Sequence, residues 1–248
     1  MSTVVTDHPR VAIVTGGSGG IGGQTAQRLA RDGMAIVVAY AGRKAPAEDV
    51  VTAIVESGGI ATSFQSDVAE ESDVAALFDA AELSYGGVDV VVNAAGIMLL
   101  SPLVDLDLEV LDRMVRINLR GTFAVGREAA RRVRPGGAII NFSSSVQKIA
   151  RPGYTAYAAT KGAVDAITLI LAKEMRGRDV TVNSVAPGPT ATPLFLEGKD
   201  QATLDRMRIE PPLERLGTPA DIAEVVAFLA GPARWVNGQI IYPNGGVV

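Results

Sequence analysis

Short apolar runs alternate with longer stretches of helical spacing from one end of the chain to the other. The runs fall at residues 11–15, 35–40, 60–65, 88–93, 138–142, 180–185 and 239–242. They are continuous rather than alternating, which predicts strands buried on both faces. Between them, 20–31, 47–57, 72–84, 108–132, 157–175 and 221–229 carry apolar residues at the spacing of helices. Strand–helix–strand alternation predicts parallel pairing with helices on both faces of the sheet. The expected fold class is α/β: a single domain over 10–248 with one doubly wound parallel sheet, preceded by a disordered tail over 1–9. The longest stretch without a clear element, 187–219, holds six of the 13 prolines. Long loops in compact domains are usually functional, so about 188–218 is expected to form a lid over a site.

Composition narrows the function classes. At 248 residues one core is large enough to need neither metal nor disulfide for stability. With no cysteine, disulfide scaffolds, thiolate metal sites and cysteine nucleophiles are excluded. His8 is the sole histidine, and no metal is expected. A net charge of −4 without a Lys/Arg-rich run speaks against a nucleic-acid partner. The cluster Arg127, Arg131, Arg132 and Arg134 reads as a solvated helix face. Residues 1–9 lack the apolar centre of a signal peptide, and no run reaches the ~18 apolar residues of a membrane span. No membrane partner and a cytoplasmic location are therefore expected.

Thr15-Gly16-Gly17-Ser18-Gly19-Gly20-Ile21-Gly22 follows the first predicted strand and opens the first helix. A dinucleotide's pyrophosphate requires backbone N–H groups at close range and the positive end of a helix dipole. Side chains would block that approach, hence glycine. Two patterns overlap here, G-x-G-x-x-G at Gly17, Gly19 and Gly22 and T-G-x-x-x-G-x-G at Thr15, Gly16, Gly20 and Gly22. The second strand ends in Tyr40 and Ala41 without the acid that grips a ribose 2′-hydroxyl. Arg43 and Lys44 follow, and their charges suit a 2′-phosphate. The predicted cofactor is NADP(H).

Tyr157 and Lys161 lie four apart in a helical stretch, on one face. A cation ~4 Å from the phenol at an effective dielectric of ~20 contributes about 4 kcal/mol. That would lower the phenol's pKa by up to about three units, toward general acid–base work near neutrality. Ser143-Ser144-Ser145 ends the preceding strand, where open α/β sheets place ligands. A serine hydroxyl there can steady charge developing on a substrate oxygen. Period-two alternation puts Ser143 and Ser145 on the opposite side from Ser144.

With the nucleotide turn, Ser144, Tyr157 and Lys161 in this order, the chain resembles the short-chain dehydrogenase/reductase family, from about Arg10 to Gly246. The resemblance implies a Rossmann-type fold and a catalytic tetrad of Asn118, Ser144, Tyr157 and Lys161. Ser144 stands at the usual spacing before Tyr157. The implied cofactor turn comprises Gly16, Ser18, Gly20, Ile21 and Gly22. Asp67 and Val68 match the pair beside adenine. Asn93-Ala94-Ala95-Gly96 is similar to the family's Asn-Asn-Ala-Gly, with Ala94 as a departure. Pro187, Gly188, Thr190 and Thr192 resemble the nicotinamide-side turn. Lys161 would bind the nicotinamide ribose, and Asn118 would hold a water linking Lys161 to solvent. Asn237-Gly238-Gln239 and Gly245-Gly246 resemble the C-terminal end that packs subunits, implying a homotetramer.

The implied reaction is reduction of a ketone, aldehyde or 3-oxoacyl group, with a small carbonyl or alcohol compound as substrate. An NAD-dependent alcohol or polyol dehydrogenase is the alternative, and a non-catalytic dinucleotide sensor the third reading. Met98, Leu99 and Leu100, with Gln147, Tyr154 and Phe195, are expected to make a partly apolar substrate pocket. Ile97-Met98-Leu99-Leu100 departs from the Ile-Thr-Arg-Asp common in bacterial 3-oxoacyl thioester reductases.

Overall fold

The computed structural model describes residues 9–248. Seven strands are present: β1 (Val11–Thr15), β2 (Ala35–Tyr40), β3 (Ile60–Gln65), β4 (Val88–Asn93), β5 (Val133–Phe142), β6 (Thr181–Val185) and β7 (Ile240–Ile241). They form one parallel sheet in the order 3-2-1-4-5-6-7. The helices are α1 (Gly20–Arg31), α2 (Ala45–Glu56), α3 (Glu71–Tyr85), α4 (Leu108–Met114), α5 (Gly121–Arg132), α6 (Val146–Ile149), α7 (Thr155–Glu174), α8 (Pro193–Leu196), α9 (Gln201–Ile209) and α10 (Pro219–Ala230). The tail expected over 1–9 lies, apart from Pro9, outside the described residues, as does His8.

Strand residues alternate between two cores. Ala12, Val14, Val90, Val92 and Ile140 pack beneath α1, α2 and α10. Ile13, Val91, Ile139 and Val182 pack beneath α3, α5 and α7. Both faces are thus apolar, which is why β1, β2 and β4 read as largely hydrophobic runs, interrupted in β4 by Asp89.

Four expectations change. β3 is an edge strand with alternating exposure, Ile60 among the exposed positions, because no further strand pairs beyond it. β5 starts five residues before the expected 138, and its register with β4 shifts between the Val88 and Val90 pairs. At that irregularity a Cβ on Gly137 would stand 2.4 Å from the Asp89 carbonyl oxygen. The helix expected over 108–132 is interrupted by a π-helical turn, Val115–Arg120, between α4 and α5. Finally, 187–219 holds α8 and α9. Their N-caps are side chains: Thr192 Oγ1 accepts from Phe195 N at 3.1 Å and Asp200 Oδ1 from Thr203 N at 2.7 Å.

The arginine cluster is engaged in ion pairs, Arg127 with Glu71 at 2.7 Å, Arg131 with Glu128 at 2.8 Å, Arg132 with Asp79 and Glu82 at 2.6 Å, and Arg134 with Asp89. No helix among the described residues is long and apolar enough to cross a membrane. At the C-terminal surface Trp235 is fully exposed and Phe228 half exposed.

Candidate active site

Strand order reverses at β1, so the chain leaving β1 and the chain leaving β4 part at the carboxyl edge of the sheet and open a crevice. Glycine lets these two exits approach. Gly16 has φ +65°, and a Cβ there would lie 2.9 Å from Ala95 backbone; a Cβ on Gly22 would lie 2.3 Å from the Gly16 carbonyl oxygen. At Gly19 a Cβ would meet nothing within 4 Å, so this position faces open cleft. No side chain caps α1, whose first N–H groups therefore point into the same space. A bare, positively polarised helix end behind a glycine floor fits a pyrophosphate.

A buried polar row lies beneath that floor. Thr15 Oγ1 donates to Asn93 Oδ1 (3.1 Å), Asn93 Nδ2 to Asn141 Oδ1 (3.4 Å), and Asn141 Nδ2 to Thr168 Oγ1 (3.0 Å). Ala95 N donates to Thr15 Oγ1 at 3.2 Å. Asn93 thus joins strands rather than facing the cleft; Thr15 belongs to the glycine motif, whereas Asn141 and Thr168 are partners that motif reading did not single out. For Asn141 the signal was a polar residue near the carboxyl end of an otherwise apolar strand, whereas Thr168 lies on α7.

At the end of β2, Tyr40 is buried in the core, whereas Ala41, Arg43 and Lys44 are exposed. Lys44 stands at the N-terminus of α2, with Nζ 3.6 Å from Glu48. Ala41 and Asp67 line a small hollow with Phe64 and Gln65. The Asp67 carboxylate is held by Arg116 at 2.8 Å and accepts from Ala69 N at 2.9 Å. Although partial burial opposes it, these bonds hold its pKa below the usual carboxylate range. Val68 is buried, and a Cβ on Gly121 would lie 2.7 Å from its side chain.

The main cleft, about 470 Å³, gathers Gly16, Ser18, Gly20, Ile21, Gly22, Ala94, Gly96, Ser144, Tyr157, Lys161, Pro187, Gly188, Thr190 and Thr192 on its walls. The glycine turn and the turn at 187–192 face each other, since a Cβ on Gly20 would sit 3.7 Å from the Thr192 methyl carbon.

Tyr157 and Lys161 share a face of α7, but Lys161 Nζ turns to the Phe142 carbonyl oxygen at 2.7 Å and stands 5.8 Å from the centre of the tyrosine ring. The expected depression of the phenol is not what this geometry produces. Burial pushes Tyr157 up to about 12, while a hydrogen bond with Ser144 pulls it down. Burial likewise pushes Lys161 down to about 8, opposed by the Asp165 charge. Two buried groups each shift toward neutrality because desolvation outweighs their mutual attraction at this separation.

Ser144 projects to the cleft, while Ser143 Oγ donates to the Lys161 carbonyl oxygen (3.2 Å) and Ser145 Oγ to that of Ala186 (2.8 Å). Asn118 lies in the π-helical turn and is buried. Its Oδ1 accepts from Ile97 N and its Nδ2 donates to Ile97 O, both at 2.8 Å, with Thr160 Oγ1 a further acceptor at 3.2 Å. The expected water-holding role therefore meets a side-chain amide already bonded at both ends. Through these bonds the Asn118 side chain braces the chain leaving β4.

Of the expected pocket residues, Met98, Tyr154 and Phe195 line the cleft, and Leu99, Leu100 and Gln147 do not. Gln147 is held away by Ser143 and Asp165. Val146, Ile149, Leu194, Met207 and Arg151 complete the wall and were not singled out in the sequence. Arg151 pairs with Glu210, just past α9. Among the described residues no group of three or more His, Asp and Glu side chains could hold a metal ion.

Residues 16–248 match the family model described as Enoyl-(Acyl carrier protein) reductase. The chain is 44% identical to a short-chain type dehydrogenase/reductase of Picea abies, covering 96% of this chain and 92% of that protein. It is 42% identical to an NADPH-dependent aldehyde reductase-like protein, chloroplastic, of Arabidopsis thaliana, covering 96% and 94%. A short-chain dehydrogenase from Burkholderia cenocepacia, solved in complex with NADP, superimposes with a TM-score of 0.90 at 34% identity, covering 96% and 97%. With the crevice at β1/β4, the glycine floor and the shared face of Tyr157 and Lys161, these similarities place the chain in the short-chain dehydrogenase/reductase family, an oxidoreductase.

Proposed function

We propose that the protein is an NADP(H)-dependent reductase of aldehydes or ketones with an apolar body, working through Ser144, Tyr157 and Lys161. The observation that carries this reading is the convergence of those three side chains on a cleft whose opposite wall is the glycine turn. The similarity to NADPH-dependent and NADP-bound relatives supports the choice of cofactor.

Ser18, Gly19, Gly20 and Ile21 would cradle the pyrophosphate at the N-terminus of α1. Thr190 and Thr192 would bound the nicotinamide, with Pro187 and Gly188 shaping the turn. Ala41, Asp67 and Val68 would flank the adenosine, and Ala94, Ala95 and Gly96 the ribose side. Arg43 and Lys44 would meet a 2′-phosphate. Lys44 at a helix N-terminus opposes the helix dipole, so a role toward an anion accounts for its sign better than a contribution to helix stability. The bound cofactor supplies the hydride.

Tyr157 donates the proton. The oxygen left by carbonyl reduction is an alkoxide, whose conjugate acid resembles water with a pKa of about 16. A phenol near 12 is protonated at physiological pH and still much more acidic than that alcohol, so the proton runs downhill. The reverse reaction would require a phenolate, which burial disfavours. Ser144 donates to the substrate oxygen and aligns it with the phenol. Lys161, anchored on the Phe142 carbonyl oxygen, presents its ammonium to the ribose and to the developing charge.

Met98, Val146, Ile149, Tyr154, Leu194 and Phe195 make the substrate wall apolar. Hydroxyl-rich substrates would lose their hydration against it without replacement, which argues against polyols. The test is NADPH oxidation with aromatic and aliphatic aldehydes and ketones, beside polyols with NADP⁺ or NAD⁺. Tyr157→Phe is expected to lower kcat by about 10²- to 10⁴-fold while NADPH binding by calorimetry stays the same. Full turnover by that variant would remove Tyr157 from the chemistry, and faster turnover of polyols would reverse the substrate reading.

A further inference from the structure

We propose that Gln147 and Asp165 form a buried clamp that positions Ser144, an inference resting on the reductase reading above. Asp165 lies one turn beyond Lys161 on α7 and is 7% exposed. It lies outside the cleft wall and has no assigned part in proton or hydride transfer. Its Oδ2 accepts from Gln147 Nε2 at 2.6 Å. The same amide nitrogen donates to Ser143 Oγ at 2.8 Å and lies 3.4 Å from the Ser144 carbonyl oxygen. Ser143 Oγ in turn donates to the main-chain oxygen of Lys161 at 3.2 Å. Gly162 provides the room: a Cβ at that position would come 3.4 Å from Gln147 Oε1.

The turn after β5 is therefore pinned on two sides. Ser145 Oγ fixes it to Ala186, directly beyond β6, and Gln147 with Ser143 fixes it to α7. Between these pins stands Ser144, facing the cleft. Tyr157 and Lys161 ride on α7, whereas Ser144 rides on the turn, so the distance between the serine and tyrosine hydroxyls is set by how these two elements dock. The clamp is the side-chain contact that fixes this docking from α6. Asp165 Oδ1 has no hydrogen-bond partner among the described residues, so Gln147 is the side chain that hydrogen-bonds this buried carboxylate. Packing alone would be served as well by an apolar pair. Gln147 and Asp165 are positioning residues, acting through Ser144 rather than on the substrate.

The test is a mutant cycle read in kcat and in NADPH affinity, using an aldehyde that the wild-type protein reduces. Gln147→Met is expected to lower kcat by about ten- to a hundredfold, as misplacement of a reacting group does, with NADPH affinity unchanged. In a Ser144→Ala background the same change should cost nothing further, because the group being positioned is gone. An equal loss in both backgrounds would mean a general structural role and would overturn the clamp, as would an unchanged kcat in the wild-type background. Gln147→Met leaves a buried carboxylate without its donor and could prevent folding. The paired variant Gln147→Met/Asp165→Leu removes both partners together, a nearly neutral change for folding, and takes its place in the same cycle. If Ser144→Ala alone leaves kcat intact, the reductase assignment of Ser144 falls instead. A crystal structure of the paired variant then decides the clamp: a turn at 143–145 shifted away from α7 supports it, and an unmoved turn overturns it.

Discussion

The two walls of the cleft are built on different principles. On the nucleotide side the main chain makes the shape. Gly16 and Gly22 stand where any side chain would strike backbone, and the strands behind them are fully buried. On the other side, in the segment 187–219 expected to form a lid, side chains make the shape. None of α8 is buried, Met207 is the buried residue of α9, and the two helices are capped by Thr192 and Asp200. The lid's two ends are joined by Gly217, which donates to the Pro189 carbonyl oxygen and accepts from Ala191 N, both at 2.8 Å. Its far end is tied by the ion pair of Arg151 with Glu210, and such pairs at the surface contribute little. A wall of main chain fixes one ligand geometry; a thinly buried wall of side chains can vary without unfolding the domain. Of the two, the wall formed by 187–219 is the one that can change at least cost.

The sharpest way to break this contrast is Gly22→Ala. With a Cβ 2.3 Å from the Gly16 carbonyl oxygen, the turn must open, and calorimetry is expected to show no NADPH binding together with a lowered Tm. Wild-type affinity in that variant would mean that the turn is not the cradle. Next in size, Arg43→Ala/Lys44→Ala should weaken NADPH by about ten- to a hundredfold, as loss of hydrogen bonds to a charged group does, and leave NADH unaffected. Parallel losses for both nucleotides would dismiss the 2′-phosphate assignment.

A third variant, Lys161→Met, separates function from stability. Burial lowers this lysine from its ordinary 10.5 to about 8, a cost on the order of 3 kcal/mol at neutral pH. The lost bond to Phe142 offsets about 1–3 kcal/mol of that. The variant should be inactive yet at least as thermostable as the wild type at pH 7. Between about pH 8 and 10.5 the folded wild type has released a proton that the unfolded chain still binds, so its stability rises with pH there. The variant's margin in Tm should consequently narrow above pH 8, and a margin that widens would contradict the buried-cation account. The smallest effect belongs to the lid: Glu210→Gln should change KM by less than about threefold and Tm very little, as for an exposed pair. A large loss of kcat would show that the lid is held more firmly than its burial indicates.

What was legible in the sequence follows the same division. β1, α1, β2 and β4 could be bounded to the residue because both-face burial leaves a largely apolar run and glycine marks the turn. β3 could be bounded too, but the expectation of burial on both faces passed over Thr62, Ser63 and Gln65, the polar residues of a partly exposed edge. The π-helical turn leaves apolar spacing across 108–132 intact, so the pattern could not reveal it. In the lid, prolines drew attention away from the capping residues Thr192 and Asp200, which announced two short helices. For the site, spacing placed Tyr157 and Lys161 on one face, but the tyrosine's upward shift comes from its burial, and Lys161 Nζ turns to the carbonyl of Phe142, 19 residues before it, neither of which spacing reveals. Gln147 was read as a pocket residue for a similar reason: its partner Asp165 is 18 residues on, and only the docking of α6 on α7 brings them together.

The polar row beneath the glycine floor has a bearing on the order of folding. The phosphate-binding motif is complete in the chain by residue 22, yet the threonine that holds Ala95 beside it is bonded to Asn93, which is bonded to Asn141, which is bonded to Thr168. These contacts span more than half of the sequence, and non-local contacts form late because long loops must close first. A motif written at the beginning of the chain thus becomes a finished site only after β5 and α7 have docked, and the nucleotide can reward only molecules that have already assembled most of the sheet.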